Sequence, residues 1–298
     1  MIAVSSITAF HFTDPGCPWA YSARPAHARL IWRFGDQVDW RLVMIGLSET
    51  AERYVARGYT PARLATSWRM FQGRFGMPFT FELKPRMAAT SPACRAIVAA
   101  RDIDPALGEQ ALRELQLMQF TSGRLLDEDA DLRHALGGIP GLDADAVVRS
   151  IDSPEVLAAY EADRELARAA EGTPTHAQDR HATSDGPVRY TAPSVIFEQA
   201  DGRRLEVGGF QPFEAYDTAL ANLDVSLSRR PPPADPLEAL SAFPNGLTTA
   251  ELAEVLRPSD LAAADLTATE GQLVALAGEG ALLCEPVGDG ALWRLPAS

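Results

Sequence analysis

Cysteine, lysine and long apolar runs are what this sequence has least of. Its three cysteines, Cys17, Cys94 and Cys284, are odd in number and far apart in 298 residues, which argues against a structural disulfide framework. Lys84 is the sole lysine among 27 basic residues, and that bias toward arginine implies no mechanism. No uninterrupted apolar run reaches the ~18 to 20 residues that span a bilayer. The start, MIAVSSITAFHFTDPGCP, has neither a basic segment ahead of its apolar run nor a small-residue cleavage site. The expectation is a cytoplasmic protein with no membrane partner. Positive charge is also short: a net charge of −13 works against binding the phosphate backbone of a nucleic acid.

What is present is the composition of a globular protein, 46% hydrophobic and 22% charged. The length suits two or three core-bearing units. Ser6 to Phe12 alternates like a strand, and Asp14-Pro15-Gly16 breaks it. From Trp19 to Phe34 the pattern is helical, with Pro18 at the start and Pro25 a kink or interruption. Val38 to Leu47 reads as a second strand. A long helical stretch follows, including Glu49 to Arg69, a helix opened by Ser91-Pro92, Leu112 to Phe120, Ala130 to Leu136, Ala144 to Ile151 and Ser153 to Ala170, with a loop at Gly73 to Phe79. Glu171 to Arg189 reads as a loop, Ser194 to Phe197 and Arg204 to Val207 as a hairpin around Asp201-Gly202, and Pro212 to Leu223 as a last amphipathic helix. This order predicts an α/β, thioredoxin-like domain over 1–228, with a helical insertion at about 49–175. Arg229 to Pro236, RRPPPADP, has the composition of a semi-rigid linker. Residues 237–298 then read as a small winged-helix-like domain of three helices and two short strands around Gly-Asp-Gly.

Cys17 is the first candidate for chemistry. A cysteine just ahead of a helix meets unpaired N–H groups and partial positive charge, which predicts a lowered thiol pKa. The competing reading is a small buried residue at a strand end. Thr191-Ala192-Pro193-Ser194 stands immediately before the third strand. A cis Ala192-Pro193 bond facing Cys17 would turn the backbone of Ala192 outward to an extended thiol peptide.

The segments DPGCPWAYSARP, SPACRAIVAA, YTAPSVIF and VGGFQPFEAYDTAL resemble the DsbA-type thioredoxin-like family, closest to its FrnE-like branch. They are also similar to 2-hydroxychromene-2-carboxylate isomerases and kappa-class glutathione transferases. The resemblance covers roughly residues 7–223. It implies Cys17 as the attacking thiol, Pro18 and Trp19 as the intervening pair, and Pro193 as the cis proline, with Ala192 beside it binding substrate. Gly76-Met77-Pro78-Phe79 resembles the segment that closes over the pocket, with Trp68, Met70 and Phe71 as candidate apolar walls. The sequence departs from the redox branch at Ala20, where a resolving cysteine would stand, and Cys94 and Cys284 are poor substitutes.

The expected function is therefore a monothiol thiol–disulfide oxidoreductase. It would use an external low-molecular-weight thiol such as glutathione as co-substrate, with no bound cofactor. Alternatives are a small-thiol-dependent isomerase or transferase, in which the Cys17 position donates a hydrogen bond to the bound thiolate, and a non-catalytic binding protein. His176 and His181 make weak metal-ligand spacing, and no metal is expected. His11 points to the core or to the active-site end, and His27 is expected on an exposed helix face. From Pro236 onward nine acidic residues oppose two arginines, so the tail suits a homodimer, a protein partner or a lid better than DNA.

Overall fold

The computed structural model describes residues 7–296. Strand β1, Ile7–Thr13, ends at the Asp14-Pro15-Gly16 turn, and helices α1, Pro18–Ser22, and α2, Arg24–Phe34, follow, broken at Ala23. Pro25 sits in the first turn of α2, where its missing N–H is no loss, so it starts a second helix instead of bending one. Strand β2, Val38–Met44, runs parallel to β1. The insertion comprises α3, Ala51–Ala56; α4, Pro61–Phe75; α5, Ser91–Ile103; α6, Pro105–Thr121; α7, Asp129–Leu136; α8, Ala144–Ser150; and α9, Pro154–Ala167.

Three expectations from here to β4 are corrected. Glu49 to Arg69 is not one helix, because Gly58 at φ +77° and Pro61 end one helix and begin another. The second continues through Gly73 to Phe75 and stops at Gly76, which takes the left-handed conformation at φ +74°. The Glu171–Arg189 loop holds a short helix, α10, Pro174–Ala177, and a two-residue ladder between β3, His181–Ala182, and β4, Arg189–Tyr190.

Strands β5, Ser194–Gln199, and β6, Arg204–Val207, form the hairpin, and β5 lies antiparallel to β1. The sheet order is β2-β1-β5-β6. Side chains alternate across it. Ile7, Ala9, Val195 and Phe197 pack on one face against Leu30, Phe34 and helix α11, Phe213–Leu223. Phe12, Val43 and Ile196 pack on the other with Cys17, Ala167 and Tyr190. The insertion has its own core around Ile97, Leu112, Leu115 and Val148. The chain thus has a thioredoxin-like sheet carrying a helical insertion.

The tail contains α12, Pro236–Ser241; β7, Leu247–Thr248; α13, Thr249–Val255; α14, Leu266–Gly278; β8, Leu283–Val287; and β9, Gly290–Arg294, with strand order β7-β9-β8. It has one more strand than expected, because Leu247 and Thr248 pair with Trp293 and Leu292. Its core is shared with the rest of the chain. Leu240, Leu252 and Trp293 enclose Ala28 and Trp32 of α2, and Ala250 and Leu292 close on Tyr21, Met77, Phe79 and Phe120.

Polar contacts bind the same seam. Glu251 is fully buried and accepts two bonds from Arg113, at 2.7 and 3.0 Å, and one from Arg24 at 3.1 Å. Arg29 and Arg33 reach Asp260 at 2.6 and 3.0 Å. The acidic tail therefore meets cations from within its own chain. The proline-rich stretch lies along α2, with Trp32 Nε1 donating to Pro231 O at 2.8 Å and Arg230 stacked on the Trp32 ring. Among the described residues no helix is long and apolar enough to cross a membrane.

Candidate active site

The end of β1 delivers Asp14 into the interior and Cys17 to the entry of α1. Asp14 is fully buried and organises the turn, accepting hydrogen bonds from Gly16 N and Leu47 N at 2.8 Å each and from Thr90 Oγ1 at 3.0 Å. Its carboxyl is held above the usual range, because loss of hydration outweighs those bonds. The sequence reading treated this aspartate only as part of a strand-breaking turn. Its polar role depends on Leu47 and Thr90, brought in by the end of β2 and the start of α5.

Cys17 precedes the first residue of α1, Pro18, and is 6% exposed. Its Sγ donates to the carbonyl oxygen of Ala192 at 3.1 Å, and the Ala192–Pro193 peptide bond is cis. The carbonyl expected to face an incoming peptide is thus occupied by the thiol. The lowered thiol pKa expected from the helix terminus is also corrected: burial pushes Cys17 up to about 12, although the amides of Ala20 and Trp19 favour the thiolate. A five-residue helix supplies too few aligned dipoles to offset that desolvation.

Position 20 is a buried alanine in the same core cluster. Cys94 is fully buried and donates to Asp14 Oδ2 at 3.4 Å, while Cys284 is exposed on β8.

A cavity of about 310 Å³ opens beside the Cys17 turn. Gly16, Pro18 and Trp19 form its wall on the thiol side, and Tyr54, Tyr59, Leu64, Trp68 and Phe71 form the wall given by α3, α4 and the turn between them. Ala192 and Pro193 are buried and do not line it. Trp19 is 40% exposed and stands edge-on to Phe71 at 4.8 Å and to Phe210 at 5.5 Å.

Of the expected apolar walls, Trp68 and Phe71 face the cavity, whereas Met70 is 65% exposed and does not. The Gly76-to-Phe79 segment does not roof it either. Met77 and Phe79 are fully buried beneath the β8–β9 turn, with Phe79 N donating to Asp289 Oδ1 at 2.8 Å and Asp289 N donating to Phe79 O at 3.0 Å.

The cavity's charge is opposite to that of the chain. Arg57, Lys84, Arg86 and Arg189 line it, and no acidic side chain does. Arg86 is paired with Asp127 and Glu128, and Arg189 with Asp185. Arg57 has no ion pair among the described residues and lies against the Tyr59 ring. Burial lowers the Lys84 ammonium to about 7. None of these four stands out as a candidate in the sequence, because they are gathered from the end of α3, the segment before α5 and β4.

The histidines take no part in this cavity. His11 faces α2 from β1 and meets His27 ring-to-ring at 4.4 Å. His27 is buried, not exposed as expected, because its ring packs against His11 and Trp40 of the sheet and Tyr216 of α11. His176 and His181 contact each other edge-on, and no group of three metal-binding side chains occurs among the described residues.

Known structures share this fold. The cytosolic disulfide reductase DsbM from Pseudomonas aeruginosa is 21% identical, with a TM-score of 0.52 over 74% of this chain and 100% of that one. A protein assigned as a protein disulfide isomerase, from Nitrosomonas europaea, is 17% identical, with a TM-score of 0.54 over 73% of this chain and 97% of that one. A protein assigned as a DsbA oxidoreductase, from Streptomyces coelicolor, is 19% identical, with a TM-score of 0.53 over 72% and 89%. No curated protein matches the sequence. Residues 10–191, more than half of the chain and the part that carries Cys17 and the lining of the cavity beside it, match the DsbA-like thioredoxin domain, and the chain belongs to that family.

Proposed function

We propose that this protein is a monothiol thiol–disulfide oxidoreductase working through Cys17 with a small anionic thiol such as glutathione. The observation that carries the reading is the isolation of the Cys17 thiol. It is bonded to Ala192 O, with alanine at position 20 and Cys94 held by Asp14. In the cycle, the Cys17 thiolate attacks the small-thiol sulfur of a mixed disulfide. The substrate leaves as its thiolate, and a second small thiol attacks Cys17 to give its own disulfide and free Cys17. The resting thiol is protonated, so its proton must leave as the mixed disulfide enters; the Trp19 and Ala20 amides and Arg189 favour the thiolate.

The cation-lined cavity suits the carboxylates of such a thiol, and a DsbM structure of the same fold, 19% identical, is described with GSH. A reducing cytoplasm would supply the second thiol. In this reading residues 1–228 form the catalytic unit and 237–298 brace it.

The raised Cys17 pKa favours a second reading within the same site. A protonated Cys17 would donate its S–H to the thiolate of a bound small thiol, activated for transfer or isomerisation. The experiment is to incubate the protein with a glutathionylated peptide and follow Cys17 by mass spectrometry, with Cys17→Ser as control. A Cys17–glutathione adduct, discharged by excess glutathione, supports the oxidoreductase. Saturable glutathione binding without an adduct moves the assignment to the second reading, and neither signal leaves a binding protein.

A further inference from the structure

A second cavity, of about 260 Å³, lies at the seam between α2, β2, α6 and the α12–β7 connection, apart from the Cys17 site. Its walls differ in kind from those of the first. His11, His27 and Trp40 form one ring cluster, with centroids 4.4 Å apart for the two imidazoles and 6.2 and 5.9 Å from each to the indole. Phe243 and Ile31 add apolar surface from the tail and from α2.

Three of its polar side chains carry an unsatisfied buried atom, Nε of Arg113 and Nε2 of two histidines. His11 and His27 are 6% and 9% exposed, and the Nε2 atom of each is buried without a hydrogen-bond partner. Burial costs such atoms their hydration, and native structures seldom leave them unpaired without an unseen partner. Both imidazoles are held neutral, since burial drives their pKa values down, His27 to about 3. A neutral imidazole can donate from Nε2.

The charge around the cavity favours an anion. Of the two carboxyl groups that line it, Glu251 is shared by Arg24 and Arg113, and Glu109, pushed up to about 7 by loss of hydration, carries only part of a charge at neutral pH. Arg24 spends Nε on Glu251 and Nη1 on Gln116, leaving Nη2 uncommitted. An excess guanidinium beside two neutral donors and two aromatic surfaces matches a flat apolar body ending in one carboxylate.

We propose that this cavity is a second ligand site, taking a small planar aromatic monocarboxylate whose ring lies among His11, His27, Trp40 and Phe243 and whose carboxylate meets Arg24. The site is independent of Cys17 chemistry and bridges the thioredoxin-like sheet and the tail.

The test is titration of the intact protein with 2-naphthoate, by calorimetry, with benzylammonium as the charge-reversed probe. Ile31, 42% exposed on α2, can be enlarged to block the cavity without disturbing a core. Saturable naphthoate binding that weakens at least tenfold in Ile31→Trp, and is unchanged in Ser67→Trp, which blocks the Cys17 cavity instead, is the expected result. Circular dichroism confirms that both variants are folded. Binding that survives Ile31→Trp, binding lost only in Ser67→Trp, equal affinity for benzylammonium, or no naphthoate binding at all would overturn the proposal.

Discussion

The thiol of Cys17 and the carbonyl of Ala192, 175 residues apart in sequence, are joined by a 3.1 Å hydrogen bond. The bond satisfies a buried donor, and burial of the sulfur keeps it protonated.

Alkylation with iodoacetamide should therefore be slow at Cys17 and should inflect near pH 12, well above the ~8.5 of a free thiol. Cys284, which is exposed, should label first. The stability consequence has a definite sign. The folded state keeps its proton where the unfolded thiol has lost it, so stability is intact below about pH 8.5 and falls as pH rises toward 12. Peptide mapping at stepped pH reads the first effect, and urea unfolding at pH 8 and pH 10 reads the second.

Ala20→Cys should convert a one-thiol site into a two-thiol site. The introduced sulfur lies one turn from Cys17 in a tight core, so a stability loss of about 1 kcal/mol is expected from overpacking. Oxidation with glutathione disulfide should then give an internal disulfide in place of a stable glutathione adduct. Intact mass before and after reduction distinguishes the two products.

Arg57→Gln should weaken small-thiol binding with little effect on turnover. The guanidinium is exposed at the cavity and has no ion pair among the described residues, so its removal strands no carboxylate. Loss of one charge-assisted bond to a ligand carboxylate is worth ~1.5 kcal/mol, about a tenfold rise in KM. Steady-state kinetics with varied glutathione tests this, and a matching fall in kcat would assign Arg57 another role.

Glu251→Gln should loosen the tail. The substitution leaves Arg24 and Arg113 without their shared charge in a buried seam, a loss of about 3–5 kcal/mol. In the unsubstituted protein those guanidinium groups hold Glu251 down at about 2, despite burial. Its contribution is therefore complete above the ordinary carboxylate range and is lost as pH falls toward 2. Urea unfolding at pH 7 and pH 3 should show the difference between the two proteins shrinking in acid.

Asp289→Ala should free the segment below the β8–β9 turn. Asp289 bonds Phe79 N and Gln72, and Gly288, at φ +58°, lets the turn come so close that a Cβ there would lie 2.7 Å from Phe79 O. Losing the side-chain bonds leaves a buried amide unpaired at a cost of about 1–3 kcal/mol. Hydrogen exchange at Phe79 should accelerate accordingly, with the sheet amides of β1 unchanged.

Much of the fold is legible in the sequence because its signals are local. Asp14-Pro15-Gly16 ends β1, prolines occupy the first turns of α4, α5, α6 and α9, and Gly202 turns the hairpin. Cys17 and Pro193 stand out for the same reason, each at a chain break beside a strand. What stays hidden depends on contacts across long separations. The face of α2 that carries Arg24, Arg29 and Arg33 looks solvent-exposed until the carboxylates of Glu251 and Asp260 are laid against it. His27 is misread for another reason, since what covers it is His11 and Trp40 of the sheet and Tyr216 of α11. The state of Cys17 is hidden likewise, because helix position alone says nothing of the surrounding core, which includes Tyr190 and Ile196.

The bond between Arg113 and Glu251 spans 138 residues, and that separation sets an order of events during synthesis. At about 5–20 residues per second, a ribosome takes roughly 7–28 s to travel from one partner to the other. For that interval Arg113 and Arg24 have no carboxylate to neutralise them, and Tyr21, Met77 and Phe79 lack the Ala250 and Leu292 side of their cluster. The nascent chain would then display a half-built apolar surface edged with positive charge, a natural landing place for a chaperone, until the acidic tail emerges and displaces it.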